Sequence, residues 1–452
     1  MGNLRIHPLL REIAHIFTGA GKEVYLVGGA VRDLLLGRNS ADWDLATNAK
    51  PEEVITLFKR VIPTGIRHGT VTIRHRGVSL EVTTFRTESE YSDGRRPDTI
   101  RYAPTIEEDL SRRDFTMNAA AVKLPEGFMV DPFDGRGDIR RRLIRCVGRA
   151  EERFAEDGLR PLRAVRFAAQ LGFDLERKTL EAIPGALETT ARVAPERIRE
   201  ELDKIMASPM PQRGFVAMEE TGLLRLLLPE LEACRGVEQR GFHRYDVLDH
   251  SLLACAYAAK QGFPQEVRMA ALFHDLGKPL VRRLDQDRGV WTFYNHEQES
   301  ARLTGGILRR FRYPNTVQET VLRLIREHMF HYEEAWSDAA VRRFIIRTGE
   351  DLIPRLLQLR LADSAGTSGI EPDPAALLPF RRRIEASLTK TGALSLKDLA
   401  VNGRDLMGAG VVPGRSLGII LAELLEAVIE DPELNKREKL LEIAQNINKR
   451  YQ

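Results

Sequence analysis

A chain of 452 residues, 43% apolar and 29% charged, has room for about three globular domains of roughly 150 residues each. A formal charge of +3 excludes any case for nucleic-acid binding built on bulk charge, so such a role has to rest on local clusters. Cys146, Cys234 and Cys255 lie far apart without pairing or metal spacing, as in a reducing, cytoplasmic setting, and no apolar run approaches a membrane span of about 18 residues.

Residues 1 to about 23 read as an amphipathic helix, with Leu9, Leu10, Ile13, Ile16 and Phe17 at helical spacing. Val24 to Val27 is a short apolar run, as in a buried strand, and Gly28-Gly29 then frees the backbone to turn and to approach a ligand closely. Ala30 to Leu36 has helical spacing, with Val31, Leu34 and Leu35 on one face and Arg32 and Asp33 off it. Strand, diglycine and helix place free N–H groups where a phosphate can sit.

The next apolar piece carries Asp42 and Asp44. In a strand, residues two apart point the same way, so both carboxylates face one side and repel unless a cation lies between them. Hard oxygen ligands suit Mg2+, which keeps substrate phosphates among its other ligands. Each piece alone also fits a plain turn or a solvated loop; in this order they predict two-metal phosphoryl or nucleotidyl transfer.

Gly28-Gly29 followed by Asp42-x-Asp44 resembles the signature of the DNA polymerase beta superfamily of nucleotidyltransferases. The fuller run Gly-Gly-Ala-Val-Arg-Asp-Leu-Leu-Leu-Gly-Arg resembles the class II tRNA nucleotidyltransferases (CCA-adding enzymes) and the related bacterial poly(A) polymerases. The resemblance implies nucleotide contacts from Gly28, Gly29 and Arg32, and catalytic carboxylates at Asp42 and Asp44 that bind Mg2+.

Pro51 to Arg60 reads as a further helix with Pro in its first position, and Gly69–Arg74 with Val78–Phe85 as a hairpin. Glu81 lies within the second of these strands, where it is either a third catalytic carboxylate or an ordinary outward glutamate. Thr87 to Asp98 is polar and turn-rich, either a lid or an inert linker; its Arg95-Arg96-Pro97 ending resembles the family's flexible loop. In Leu110–Asn118 the paired arginines fit a triphosphate, while Asp114 and Asn118 fit a ribose. The run resembles the family's Arg-Arg-Asp-Phe-Thr-x-Asn motif, which makes Arg113 the triphosphate contact. Asp131-Pro-Phe-Asp-Gly135 resembles the next motif, with Asp134 where a second glycine is frequent.

Glu156-Asp-Gly-Leu-Arg160 supports a hydrogen-bond argument. A carboxylate only accepts and a guanidinium only donates. Cytosine and adenine both present an amino donor beside a ring-nitrogen acceptor, whereas uracil and guanine present the reverse. Asp157 with Arg160 therefore fits CTP and ATP and strands polar groups against UTP or GTP. Pro161 requires the helix to start within about one turn before it. Arg163 and Arg166 continue the arginine row at spacing three, toward phosphate. The run also resembles the family's own Glu-Asp-x-x-Arg motif.

His250, His274-Asp275 and Asp363 resemble the HD phosphohydrolase pattern, and His296 and His328 would complete a two-metal version holding Mg, Mn, Ni or Co. His243 reads as structural. Gly366 to Pro374 is a Gly/Pro-rich linker, and Asn402–Met407 with Pro413-Gly414 resembles the family's tRNA-binding tail.

The expected fold is α+β, with a small mixed-sheet nucleotidyltransferase head over 1–148. A helical neck and body over 149–240, an HD domain over 241–367 and a helical tail over 368–452 follow. The expected activity is template-independent addition of CCA, or its last A, to tRNA 3′ ends from CTP and ATP, with tRNA held by its acceptor and T arms and no membrane partner. A poly(A) polymerase or an A-only enzyme is the nearest alternative, and an HD phosphohydrolase acting on nucleotide or RNA ends is the alternative of another class.

Overall fold

The structure, a computed structural model, describes residues 6–38, 43–88, 100–239, 244–390 and 395–451. Asp42, His243, Arg95-Arg96 and most of the 87–98 loop lie outside them. The chain forms two compact units, residues 1–233 with 307–313, and residues 234–306 with 314–452.

The first unit is organised on a mixed sheet. Its strands are β1 (Val24–Val27), β2 (Asp44–Thr47), β3 (Val61–Gly65), β4 (Thr70–His75), β5 (Val78–Thr84), β8 (Ala121–Leu124) and β9 (Phe128–Val130), in the order β3-β4-β5-β2-β1-β8-β9. A separate ribbon pairs β6 (Arg86–Glu88) with β7 (Ile100–Tyr102). β1 is buried at every residue because both sheet faces are covered. On one face Leu10, Ile13 and Phe17 of the helix Pro8–Gly19 pack with Leu26, Leu45, Ile73 and Val82. On the other, Tyr25, Val27 and Ala46 meet Phe85, Ile106 and Leu110. β2 and β5 run parallel, while the other pairs in this sheet are antiparallel.

Two local expectations change. The helix from Pro51 ends at Leu57, not Arg60, because Val61 and Ile62 are drawn into β3 to pair with Ile73 and Thr72. Strand pairing also persists past Arg149: β10 (Leu143–Ile144) pairs with β11 (Asp174–Leu175), and β12 (Arg283–Asp285) pairs with β13 (Val290–Thr292). Otherwise the described residues beyond 149 are helices and their connections.

In the second unit, the helices Val247–Lys260, Gln265–Phe273, Asn315–Glu327 and Ile353–Ser368 carry a dense apolar core. The last of these runs through the first residues of the expected linker and ends at Gly369, whose φ of 69° is the left-handed cap glycine supplies without strain. The tail helices Arg415–Glu430 and Arg437–Tyr451 bury Ile420, Leu424, Leu440 and Ala444 against one another. Arg342, buried on the helix Asp338–Thr348, donates to the carbonyls of Ile429 (2.6 Å) and Glu430 (3.0 Å), closing the exposed end of the Arg415–Glu430 helix. Among the described residues, no helix is long and apolar enough to cross a membrane.

Candidate active site

β1 ends on Val27, the register partner of Asp44, and the chain then turns at Gly28 with φ 69°. A Cβ built at Gly28 would lie 3.2 Å from an Arg113 nitrogen and 3.6 Å from Oδ2 of Asp44, so the glycine keeps this corner open. Asp44 is also the register partner of Glu81 on the parallel strand β5. Register partners point to the same face, which puts the two carboxylates side by side. Both are exposed on a cleft of about 530 Å3 whose lining also includes Gly28, Gly29, Arg32 and the arginines that follow.

In the same cleft, Arg112 and Arg113 are held by one residue. Asp109 accepts from Arg112 through Oδ1 at 2.8 Å and from Arg113 through Oδ2 at 3.1 Å, and only 1% of its side chain is exposed. Burial alone would raise this carboxyl, but the two guanidiniums outweigh it and hold it below the usual carboxylate range. Sequence reasoning missed Asp109; the available signal was an aspartate three and four residues before the arginine pair, with Thr105 capping the helix Ile106–Ser111.

Asp114 and Asn118, expected at a ribose, are engaged with protein. Asp114 Oδ2 accepts from Arg163 Nε (2.8 Å) and Nη2 (2.7 Å), while Oδ1 accepts from the Phe115 N–H (2.8 Å) and from Asn118 (3.2 Å). Burial pushes the Asp114 carboxyl up, yet Arg163 and these hydrogen bonds bring it down to about 2. Asn118 Oδ1 in turn accepts from Arg32 at 2.9 Å. Arg166 is buried and lies 2.9 Å from the buried carboxylate of Glu201 while resting 4.0 Å over the Phe167 ring; burial lowers its guanidinium to about 10. Arg32, Arg163 and Arg166 thus form one wall, braced from behind by Asp114 and Glu201.

Asp157 and Arg160, expected to read the base, sit where the chain enters the helix Arg160–Leu171, with Pro161 in the first turn. Asp157 is fixed on two sides: Oδ1 accepts from the Leu159 N–H (3.0 Å) and Oδ2 from Arg197 (2.9 Å). Arg160 donates to Glu156 (2.5 Å) and to the carbonyls of Arg153 (2.9 Å) and Arg112 (3.0 Å). Arg197, which sequence reasoning did not single out, lines the cleft with both.

The second unit brings the HD residues together. His250 Nε2 lies 3.0 Å from His274 Nε2, 3.2 Å from Asp275 Oδ2 and 3.3 Å from Asp363 Oδ1. His296 Nε2 lies 3.2 Å from His328 Nε2 and 3.2 Å from Asp275 Oδ1. His274, His296 and His328 each turn Nδ1 toward a backbone carbonyl, those of Ala271 (2.9 Å), Phe293 (2.8 Å) and Ile325 (2.6 Å). With Nδ1 turned to these carbonyls, Nε2 is the ring atom of each that faces the carboxylates, the orientation in which a metal would be bound. Burial opposes charge on His274, but Asp275 and Asp363 pull it up to about 10. His328 is held down to about 3 by burial and by His274. Two groups of candidate ligands result, His250-His274-Asp275 and Asp275-His296-His328, with Asp275 common to both. Asp275 Oδ1, buried and accepting no hydrogen bond, suits the role of a cation ligand.

Three family models match the chain: the Poly A polymerase head domain over 24–145, the Probable RNA and SrmB-binding site of polymerase A over 172–235, and the HD domain over 242–365. The CCA-adding enzyme of Levilactobacillus brevis is 34% identical over 439 residues, 96% of each chain. The chain belongs to the class II CCA-adding enzymes. Another member of this family, from Geobacillus stearothermophilus, is 37% identical over 425 residues, 93% of this chain and 92% of that one. The crystal structure of the Bacillus stearothermophilus CCA-adding enzyme in complex with CTP superposes with a TM-score of 0.75 at 32% identity, covering 99% of both chains.

Proposed function

We propose that the chain adds CCA to the 3′ end of tRNA, taking CTP and ATP and releasing pyrophosphate. One observation carries the reading: Asp44, Glu81, the arginine wall and the Asp157–Arg160 pair all line the same cleft. The tRNA 3′ hydroxyl attacks the α-phosphate, its P–O bond forms as the bond to pyrophosphate breaks, and the hydroxyl proton passes to a cleft carboxylate or to solvent water. Asp44 and Glu81, with Asp42 preceding on the same run, would hold Mg2+, which when bound supplies charge neutralisation at the phosphates. Arg113, kept in place by Asp109, faces the triphosphate. Asp157 accepts from the amino group of C or A, and Arg160 donates to the ring nitrogen.

In this reading residues 1–148 are the catalytic head, 149–240 the neck and body, 241–367 the HD domain and 368–452 the tail, with neck and tail gripping the acceptor and T arms. The buried thiols Cys146, Cys234 and Cys255 suit the cytoplasm. The test is incubation with tRNAs ending at the discriminator base, at C and at CC, with each nucleotide separately. Stepwise C, C, A addition is expected; A alone, or long A tracts, would move the activity to an A-only enzyme or a poly(A) polymerase.

The histidine cluster favours a second activity, a phosphohydrolase in the HD domain. His250, His274, Asp275 and Asp363 would hold one divalent ion (Mg, Mn, Ni or Co), and Asp275, His296 and His328 a second. When bound, such ions supply a nucleophilic water at neutral pH. Screening p-nitrophenyl phosphate and bis(p-nitrophenyl) phosphate with each metal tests it, and no turnover with any of them would leave the cluster a structural site.

A further inference from the structure

The segment between His274-Asp275 and His296 carries a feature the two activities do not use. β12 and β13 form a short hairpin in which Leu284 is the register partner of Trp291. Side chains two residues apart share a strand face, so Arg282, Leu284, Trp291 and Phe293 lie along one side. The Arg282 guanidinium rests 3.8 Å over the Trp291 ring, and its Nε is buried without a hydrogen-bond partner because the ring covers it. At the inner end, Lys278 Nζ lies 5.6 Å from the Phe293 ring centre and donates to Asp275 Oδ2 at 2.6 Å. A strip of aromatic faces and cations therefore leads from the metal-ligand cluster outward. Leu284 of the strip and nearby Leu280 and Tyr294 are 49%, 62% and 76% exposed, so apolar surface is concentrated on this hairpin.

Two rings interleaved with a guanidinium and an ammonium suit the stacked bases and phosphates of a single strand better than a protein surface, because every base offers a π-face and every linkage a negative charge. We propose that Arg282, Leu284, Trp291 and Phe293 form a stacking platform that holds the end of an RNA strand with its terminal phosphate at the Asp275–Lys278 centre. The proposal rests on reading the HD cluster as a phosphohydrolase. In the reaction, water oxygen bonds to phosphorus, the bond from phosphorus to the strand's terminal oxygen breaks, and that oxygen leaves as a hydroxyl with one proton from the water. The products are inorganic phosphate and the same strand ended by a hydroxyl.

The test uses the full chain and an RNA tetranucleotide carrying a 3′-phosphate. In Trp43→Phe/Trp336→Phe protein Trp291 is the sole tryptophan, so its emission reports binding at the strip whatever the head or tail binds. Quenching of that emission in chelator-treated protein, with about tenfold weaker binding after Arg282→Ala, is the expected result. In metal-loaded protein, Trp291→Ala should raise KM for the tetranucleotide about tenfold while p-nitrophenyl phosphate turnover stays unchanged. Unaltered Trp291 emission overturns the platform, and if p-nitrophenyl phosphate is still hydrolysed the phosphohydrolase reading survives it. Quenching with neither compound hydrolysed overturns the phosphohydrolase reading and the substrate assignment with it.

Discussion

Arg197 donates to Oδ2 of Asp157 at 2.9 Å, while the N–H of Leu159 occupies Oδ1 at 3.0 Å. A carboxylate has about four acceptor sites, so two remain to face a base, and the two contacts fix the plane in which they lie. Asp157→Ala should therefore change nucleotide choice: C and A incorporation falls roughly ten- to a hundredfold, the worth of a charged hydrogen bond, while U and G fall little. Arg197→Ala should give a smaller shift of the same kind, partly restored by Lys. Incorporation of each nucleotide at subsaturating concentration onto tRNA ending in C or CC measures it, and equal losses for all four bases would reduce the pair to a structural ion pair.

Removal of either cleft carboxylate should stop addition. Asp44→Ala is expected to lower it at least about a thousandfold, since metal binding supplies several kcal/mol of transition-state stabilisation. Glu81→Gln tests the third carboxylate in the same way without changing side-chain size. tRNA affinity, read by filter binding, should remain in both. Addition retained in Glu81→Gln would return that residue to an ordinary outward glutamate.

Asp109→Asn should act through its two arginines. With the shared carboxylate gone, Arg112 and Arg113 lose their orientation, and KM for ATP and CTP should rise about tenfold or more, alike for both nucleotides. Unchanged base preference separates this effect from that of Asp157. A variant with normal KM and reduced melting temperature would make Asp109 a stabilising residue only.

The Asp114 carboxyl is lowered from 3.8 to about 2, so its stabilising contribution is present above its unfolded value of about 3.9 and is lost as pH falls toward 2. That shift corresponds to about 2 kcal/mol. The melting gap between wild type and Asp114→Asn should be widest above pH 4 and should narrow between pH 4 and 2.5. A gap independent of pH would mean that Asp114 acts through packing.

His274→Ala with Asp275→Ala should strip bound divalent metal, measured by elemental analysis, and leave nucleotide addition intact. Metal retained at wild-type stoichiometry would place the ion elsewhere in the chain.

Much of this architecture was legible because chemistry and spacing coincide locally. The Gly28-Gly29 turn, the Asp44 strand and the Pro161 helix start all follow from residues within one element. The unread parts depend on tertiary partners. β3, which begins just past the helix expected to run to Arg60, goes unread until β4 is there to pair with it. Arg163 and Arg166 look free for phosphate until Asp114 and Glu201, distant in sequence, are seen behind them. Asp134, flagged where glycine is frequent, adopts the left-handed conformation at φ 57°, while Asp131 accepts from the N–H groups of Gly135 and Arg136.

Parallel pairing of β2 with β5 has a consequence for how the protein matures. Parallel neighbours need a crossover, here the helix Pro51–Leu57 and the β3–β4 pair, so Asp44 and Glu81 meet only after that whole excursion has folded back. An incompletely synthesised or misfolded head would have Asp44 without its neighbour and no closed cleft. The pairing of the two cleft carboxylates is thereby tied to completion of the sheet.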